Sequence, residues 1–405
     1  MNDLASAACP VTGRDDRKSA QFAAQHASPF PGAHVMQTFT GSREILRSAD
    51  VRQAGGASAD MVIDNPDHTS FFFLDGDLHR KRRASVAGYF TPRAIINRYH
   101  PIIDRTMDEV IAKLQKEGSG VLDEMALALA VNVTAEILGV VNDGDPLDLA
   151  RRLHAIRATA PAPNRTAYRR MIEERVLGYD AKRARMSKEF YDIHIAPAVE
   201  ARRTDPRDDV VSYMVKEGYS VASMIMECMT YGTAGVSTTR EFIAMAAWHM
   251  FDRPELKEAF LKGDEERQFA ILQEILRLDP VSGMLYRRAE ADIPDAKEGP
   301  VKAGDLMAIS IRNANLDEEI VGECPYTFDI DRMAKVKNVA SYMNFGDGPH
   351  RCPGSQVALH EGRMFLDRLM RVPGLRLVGE PTMVWNVNTQ SYEIRKMTVA
   401  CDQVG

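Results

Sequence analysis

Six stretches between Arg93 and Leu278 carry apolar residues at spacings of three and four, the repeat of an amphipathic helix, and this run limits the fold more than any other feature of the chain. They are Arg93 to Lys116, Asp123 to Leu138, Asp145 to Ala158, Thr166 to Arg202, Val221 to Phe251 and Glu266 to Leu278. The middle of the chain is therefore read as helical. After Asp279 the texture changes to short alternating pieces such as Leu306 to Ile311, with one more strong helix from Ser355 to Arg371 and strand-like segments near the end. Before Arg93 the signals are short: a strand at Val35 to Phe39, a helix at Arg43 to Arg47, and a Gly, Asp and Asn rich loop from Ala54 to His68. Residues 1–33 lack periodicity, and Pro29-Phe30-Pro31-Gly32 reads as a turn closing a poorly ordered arm. No Gly, Ser or Pro rich seam divides the rest, so residues 34–405 are expected to form one large domain, mainly α with small β-sheets.

Composition then narrows the class. Of 405 residues, 51 are Lys or Arg and 57 are Asp or Glu, interleaved to a net charge of -6, so nothing basic argues for nucleic acid as a partner. Five scattered cysteines do not make a secreted disulfide framework, and Met1 to Lys18 has no apolar signal core. No run reaches the roughly 20 apolar residues of a spanning helix, so no membrane is expected and the cytoplasm is the expected compartment.

Chemistry concentrates in one loop. Asn344-Phe345-Gly346-Asp347-Gly348-Pro349-His350-Arg351-Cys352-Pro353-Gly354 delivers a cysteine just ahead of a helix. A thiol beside the backbone N–H groups of a helix N-terminus is acidified, and the thiolate is the form that binds a metal. The order Phe345, Gly346, Gly348, His350, Arg351, Cys352, Gly354 resembles the haem-binding loop of the cytochromes P450, whose cysteine is the axial iron ligand. Thiolate ligation pushes electron density toward the iron and favours O–O cleavage. Pro353 has no N–H, so one hydrogen bond to the sulfur is missing, which should leave the thiolate more donating. On the following helix Val357, Ala358, Phe365 and Leu369 share one face. Leu359 stands where the family commonly has Arg.

Four further motifs fall in the family's order. Glu274 and Arg277 share a helix face and resemble its structural Glu-x-x-Arg, with Arg332 in the place of the later arginine. Such a buried triad serves folding and cofactor retention. His79 and Arg83, four apart, resemble the His-x-x-x-Arg clamp on the haem propionates, and Arg287 and His350 match further propionate contacts, with Arg288 as a substitute for Arg287. Ala234-Gly235-Val236-Ser237-Thr238-Thr239 is expected to interrupt the long helix at a kink or a small-residue contact. It looks like the family's oxygen-binding groove, in which an acid normally precedes the first Thr and the pair relays protons toward dioxygen. Ser237 replaces that acid, so protons must travel through Ser237, water or Glu241. Phe71-Phe72-Phe73 sits at the end of the family's variable substrate loop. Cys9, Cys228, Cys324 and Cys401 read as incidental or core residues.

The resemblance, running from about Val35 to the end, implies a triangular, mainly helical cytochrome P450 fold of the soluble bacterial type. It implies b-type haem with iron on Cys352, cofactor contacts at His79, Arg83, Ala234, Gly235, Arg287, Phe345, Gly346 and His350, and catalytic roles for Ser237 and Thr238. The implied reaction inserts one oxygen atom from O2 into a small or medium apolar substrate, as hydroxylation, epoxidation or dealkylation. Electrons are expected from a separate ferredoxin and ferredoxin reductase, docking on a basic patch of Arg80, Lys81, Arg82, Arg363 and Arg368. Two alternatives stand beside this: a peroxide-driven or rearranging enzyme of the same fold, which the missing acid permits, and a non-catalytic haem sensor.

Overall fold

The computed structural model describes residues 16, 32–54, 65, 68–142, 144–159, 178–336, 341–386 and 389–403. The chain divides into two compact units. One comprises residues 1–54, 241–355 and 366–402, the other 55–240, 356–365 and 403–405. Most of the arm expected at 1–33, most of the loop at 54–68 and the first third of the segment expected to be helical from Thr166 lie outside the described residues.

In the first unit, β1 (His34–Met36) is followed by α1 (Phe39–Arg47) and β2 (Val51–Ala54). Thr38 caps α1, its hydroxyl accepting the Gly41 N–H, and Asp317 accepts the Phe39 N–H at 2.8 Å. The second unit opens with α2 (Gly76–Val86), α3 (His100–Glu117), α4 (Leu122–Leu138) and α5 (Pro146–Ala158). These are followed by α6 (Tyr179–Phe190), α7 (Ala196–Thr204) and α8 (Val210–Lys216). Helices α3 and α4 end on Gly118 and Gly139, both at positive φ, the conformation that glycine adopts without a Cβ penalty. Helix α4 packs against α3 and α5 through Leu129, Ala130, Val133 and Leu138, all fully or nearly fully buried. Each such large aliphatic side chain contributes about 1.5–3 kcal/mol of burial energy. The short helix α8, started by the Asp209 carboxylate accepting the Ser212 N–H, was not expected from the sequence.

The long helix α9 (Val221–Asp252) contributes to both units. It runs without a break, so the interruption expected at Ala234 to Thr239 does not occur. The small-residue contact does: a Cβ on Gly235 would sit 2.9 Å from the Thr134 hydroxyl.

The first unit continues with α10 (Pro254–Lys262), α11 (Glu265–Leu278), β3 (Met284–Ala289) and β4 (Leu306–Ser310). A four-stranded sheet has the order β1-β4-β3-β2, with β1 and β4 parallel and the other pairs antiparallel. Met36, Phe39, Ile45, Met307 and Ile309 bury its inner face. Helix α12 (Ser355–Met370) follows the cysteine loop, with Val357, Leu359, Phe365, Leu366 and Leu369 buried. Leu359 is thus a packing residue. Two antiparallel ribbons close the chain, β5 (Arg376–Leu377) with β8 (Thr398–Ala400), and β6 (Thr382–Asn386) with β7 (Ser391–Arg395).

Candidate active site

In the first unit the site is built on the cysteine loop. A short helical turn, Met343–Phe345, leads into Gly346 and Gly348, both at φ near +70°, and a Cβ on Gly348 would meet the Leu46 carbonyl oxygen at 2.2 Å. Only glycine fits position 348, by conformation and by space. Asp347 pins the turn from the other side, receiving Arg43 at 3.0 Å and Arg47 at 2.8 Å. The Cys352 N–H donates to the Phe345 carbonyl at 2.9 Å, closing the loop so that the thiol, not disulfide-bonded, is exposed three residues ahead of α12. His350 is half-buried on the same loop.

Behind the loop stands a fully satisfied polar network. Glu274, on α11, accepts from Arg277 at 2.7 and 2.8 Å, from Arg332 at 3.2 Å, from the Asp329 N–H at 3.1 Å and from the Tyr342 hydroxyl at 3.2 Å. Burial, with the Glu274 charge next, pushes the Tyr342 phenol above its usual value. Arg277 and Arg332 spend their remaining donors on the carbonyls of Pro325, Thr327, Val321 and Cys324. Asn315 ties this frame to the loop: its side-chain oxygen accepts the Met343 N–H at 2.8 Å and its amide donates to Asn344. The expected triad is present, and Asn315 is a member that the sequence reading did not assign.

Arg287 lies on β3, opposite Gln53 and Met307, and only 4% of it is exposed. Its neighbour Arg288 bonds the Gly304 carbonyl at 2.8 Å.

The second unit holds the other expected residues. On α2, His79 is buried and Arg83 lies four residues on, with the Phe71 ring 6.0 Å from the imidazole and 5.8 Å from the Arg83 guanidinium. On α9, Ala234 is exposed although it sits in mid-helix, and the Thr238 hydroxyl donates back to its carbonyl at 2.5 Å. Ser237 is half-buried beside it. Glu241 corrects an expectation. Its carboxylate accepts the Ile394 N–H at 2.7 Å and pairs with Arg395, so it is committed to β7 and is not a mobile proton carrier.

A second correction concerns the basic patch. Arg80 and Lys81 are exposed, but Arg82 is 3% exposed and faces the interior, where its guanidinium lies 5.3 Å from the Tyr213 ring centroid and 5.2 Å from that of Tyr219. Of the four cysteines set aside, Cys228 and Cys401 are buried and not disulfide-bonded, whereas Cys324 is disulfide-bonded. The residue that sequence reasoning missed is Glu227, 1% exposed on α9, whose carboxyl burial pushes up to about 7.

The comparisons agree with this layout. The family model described as Cytochrome P450 matches residues 269–372, which hold the Glu274 network and the cysteine loop. Cytochrome P450(MEG) of Priestia megaterium is 26% identical over 310 residues, covering 72% of this chain and 68% of its own length. A plant-inducible cytochrome, P450-pinF1 of Rhizobium radiobacter, is 27% identical over 358 residues, covering 86% and 79%. Among solved structures, CalO2 superposes with a TM-score of 0.77 over 96% of both chains at 21% identity, a likeness of fold. Among the described residues no helix is long and apolar enough to cross a membrane.

Proposed function

From the premise that this chain belongs to the cytochrome P450 family, haem-dependent oxidoreductases whose cofactor is b-type haem, we propose a monooxygenase that oxidises a small or medium apolar substrate. The observation that carries the proposal is the exposed Cys352 thiol, outside any disulfide, held in a loop closed by its own N–H. The residues present suit haem. One soft thiolate serves a metal that brings its other ligands with it. Among the described residues there is no cluster of three or more His, Cys, Asp or Glu arranged around a metal. The buried cationic Arg287 and the buried His79 are chemically matched to two carboxylates, and the exposed mid-helix Ala234 marks open space for a flat group.

When bound, haem supplies dioxygen activation and oxygen transfer: R–H, O2, two electrons and two protons become R–OH and water. In our reading Cys352 holds the iron, while His79, Arg83, Arg287 and His350 hold the propionates. Phe345, Gly346, Ala234 and Gly235 shape the walls. Thr238 orients a proton at its hydroxyl, and Ser237 with water supplies it. Electrons come from a ferredoxin and its reductase, with exposed Arg80 and Lys81 in the docking patch and Arg82 removed from it. The proposed compartment is the cytoplasm.

A second reading is favoured by one specific observation. With Ser237 in place of an acid and Glu241 bound to Arg395, the proton route is poorer than the family's usual one, which favours a peroxide-driven or rearranging variant. The test of the first reading is the reduced-CO spectrum followed by titration of apolar compounds against the ferric Soret band. A thiolate-type band with spectral shifts is expected; a histidine-type band overturns it. Product formation from peroxide without any reductase would move the assignment to the second reading.

A further inference from the structure

One buried carboxylate is left without work in this scheme. Glu227 is 1% exposed, and the Ser70 hydroxyl beside it is the one side-chain hydrogen-bond donor that acts on its carboxylate. Its closest charged neighbour, Arg82, stands 3.9 Å away and donates instead to the Tyr213 hydroxyl at 2.6 Å and the Thr69 carbonyl at 3.3 Å. The hydroxyl of Tyr231 is also buried, without a partner. Leaving such groups unmade is costly, so an occupant is called for.

The helix places this nest. At 100° per residue Glu227, Tyr231, Ala234 and Thr238 fall on one face of α9, and the eleven residues from Glu227 to Thr238 span about 16 Å. Tyr231 stands between them, its hydroxyl buried but its ring half-exposed, flanked by Phe71 edge-on at 6.4 Å and Phe90 stacked at 6.1 Å. Ala234, next along the face, is open. A molecule lying against Ala234 and the Tyr231 ring would end at Glu227.

Resting on the monooxygenase reading, we propose that the Glu227 nest fixes the far end of the substrate by accepting a hydrogen bond from a neutral hydroxyl. Charge selects this class. Arg82 already offsets Glu227, so an ammonium would arrive without a counter-charge, and a carboxylate would meet Glu227 as a like charge. A hydroxyl donates to the carboxylate and accepts from Tyr231. The substrate class is thus an elongated apolar alcohol oxidised away from its hydroxyl.

The test uses the haem-loaded enzyme, with binding heat and the Soret shift read in parallel for dodecan-1-ol, 1-methoxydodecane and dodecanoate. Dodecan-1-ol is expected to bind at least about tenfold tighter than either of the others, the scale of one hydrogen bond to a charged group. Tyr231→Phe should narrow the preference over the ether a few-fold, and Glu227→Gln should narrow the discrimination against dodecanoate. Equal affinities of all three for the wild type, or no binding of any, overturn the proposal and leave water as the occupant. A thiolate-type reduced-CO band in the same preparation assigns that failure to the subsite alone; its absence takes the monooxygenase reading down as well.

Discussion

Two buried glutamates, each beside an arginine, have opposite surroundings. Glu274 receives four partners, and its arginines Arg277 and Arg332 are in turn bonded to backbone carbonyls. Glu227 receives only the Ser70 hydroxyl, and Arg82 turns its hydrogen-bond donors elsewhere. A satisfied buried network costs little once formed and holds one geometry; an unsatisfied one costs free energy in the free protein. The first belongs to a frame, behind the loop that presents Cys352. The second belongs to a surface that something else completes.

The strongest way to separate frame from chemistry is Cys352→Ala. The thiol makes no part of the Glu274 network, so the variant should lose the thiolate-type reduced-CO band entirely while its urea midpoint moves little. A retained band would mean that iron is held elsewhere. Next in size is Glu274→Ala, which leaves Arg277, 0% exposed, and Arg332 without their counter-charge. A loss of about 3–5 kcal/mol is expected, read by urea unfolding and by haem released during gel filtration. A cost under 1 kcal/mol would show that the frame is not what holds the loop.

Glu227→Gln probes the other carboxylate through pH. Burial raises the Glu227 carboxyl from its ordinary 4.5 to about 7, against the opposing influence of Arg82 and the Ser70 hydroxyl. Tyr219, Tyr231 and Cys228 also feel its charge. The folded protein therefore holds this proton more tightly than the unfolded chain, and wild-type stability falls as pH rises from about 4.5 to about 7. Glutamine lacks that slope. Relative to wild type, the variant should gain up to about 3 kcal/mol between the two ends of this window, whatever its absolute cost at either end. A pH-independent difference would mean that Glu227 titrates as an ordinary surface carboxylate and is already partnered.

The contrast between these glutamates was half visible in the sequence. Periodicity placed α4, α5, α9, α11 and α12 to within a residue or two, because their apolar stripes are long enough to outweigh local exceptions. Glycine and proline chemistry located the cysteine loop, since positions such as Gly348 admit no other residue. Glu274 and Arg277 were legible through their place before the cysteine loop and their resemblance to the family's Glu-x-x-Arg, since the bare spacing recurs at Glu200 and Arg203. Glu227 was not, because nothing local distinguishes a buried acid on an apolar helix from an exposed one; its state depends on Arg82, 145 positions earlier in the chain. Arg82 was misplaced for the same reason. In the run Arg80-Lys81-Arg82-Arg83 composition predicts a solvated face, whereas Arg82 packs inward against the edge-on pair of Tyr213 and Tyr219. The unbroken α9 shows the limit of propensity: Gly235 costs about 1 kcal/mol in a free helix, yet contact with Thr134 keeps the turn regular.

The finest division runs along α9 itself, between the Glu227 end and the Thr238 end. Thr238 is held by its own helix, donating to the Ala234 carbonyl, and must leave that bond to pass a proton. With Ser237 before it and Glu241 bound to Arg395 and the Ile394 N–H, no nearby carboxylic acid on this stretch stands ready to reload it, so water carries more of the traffic than in a groove with its acid. Thr238→Ala should accordingly lower product formed per NADH consumed by about tenfold, near the small end of general acid–base effects, and the missing electrons should appear as peroxide. Affinity for a hydroxylated ligand should not change, because that hydrogen bond lies about three helical turns away. Unchanged coupling would remove Thr238 from proton delivery and strengthen the peroxide-driven reading. A parallel loss of coupling and affinity would mean that the two ends of the face act on the substrate as one site.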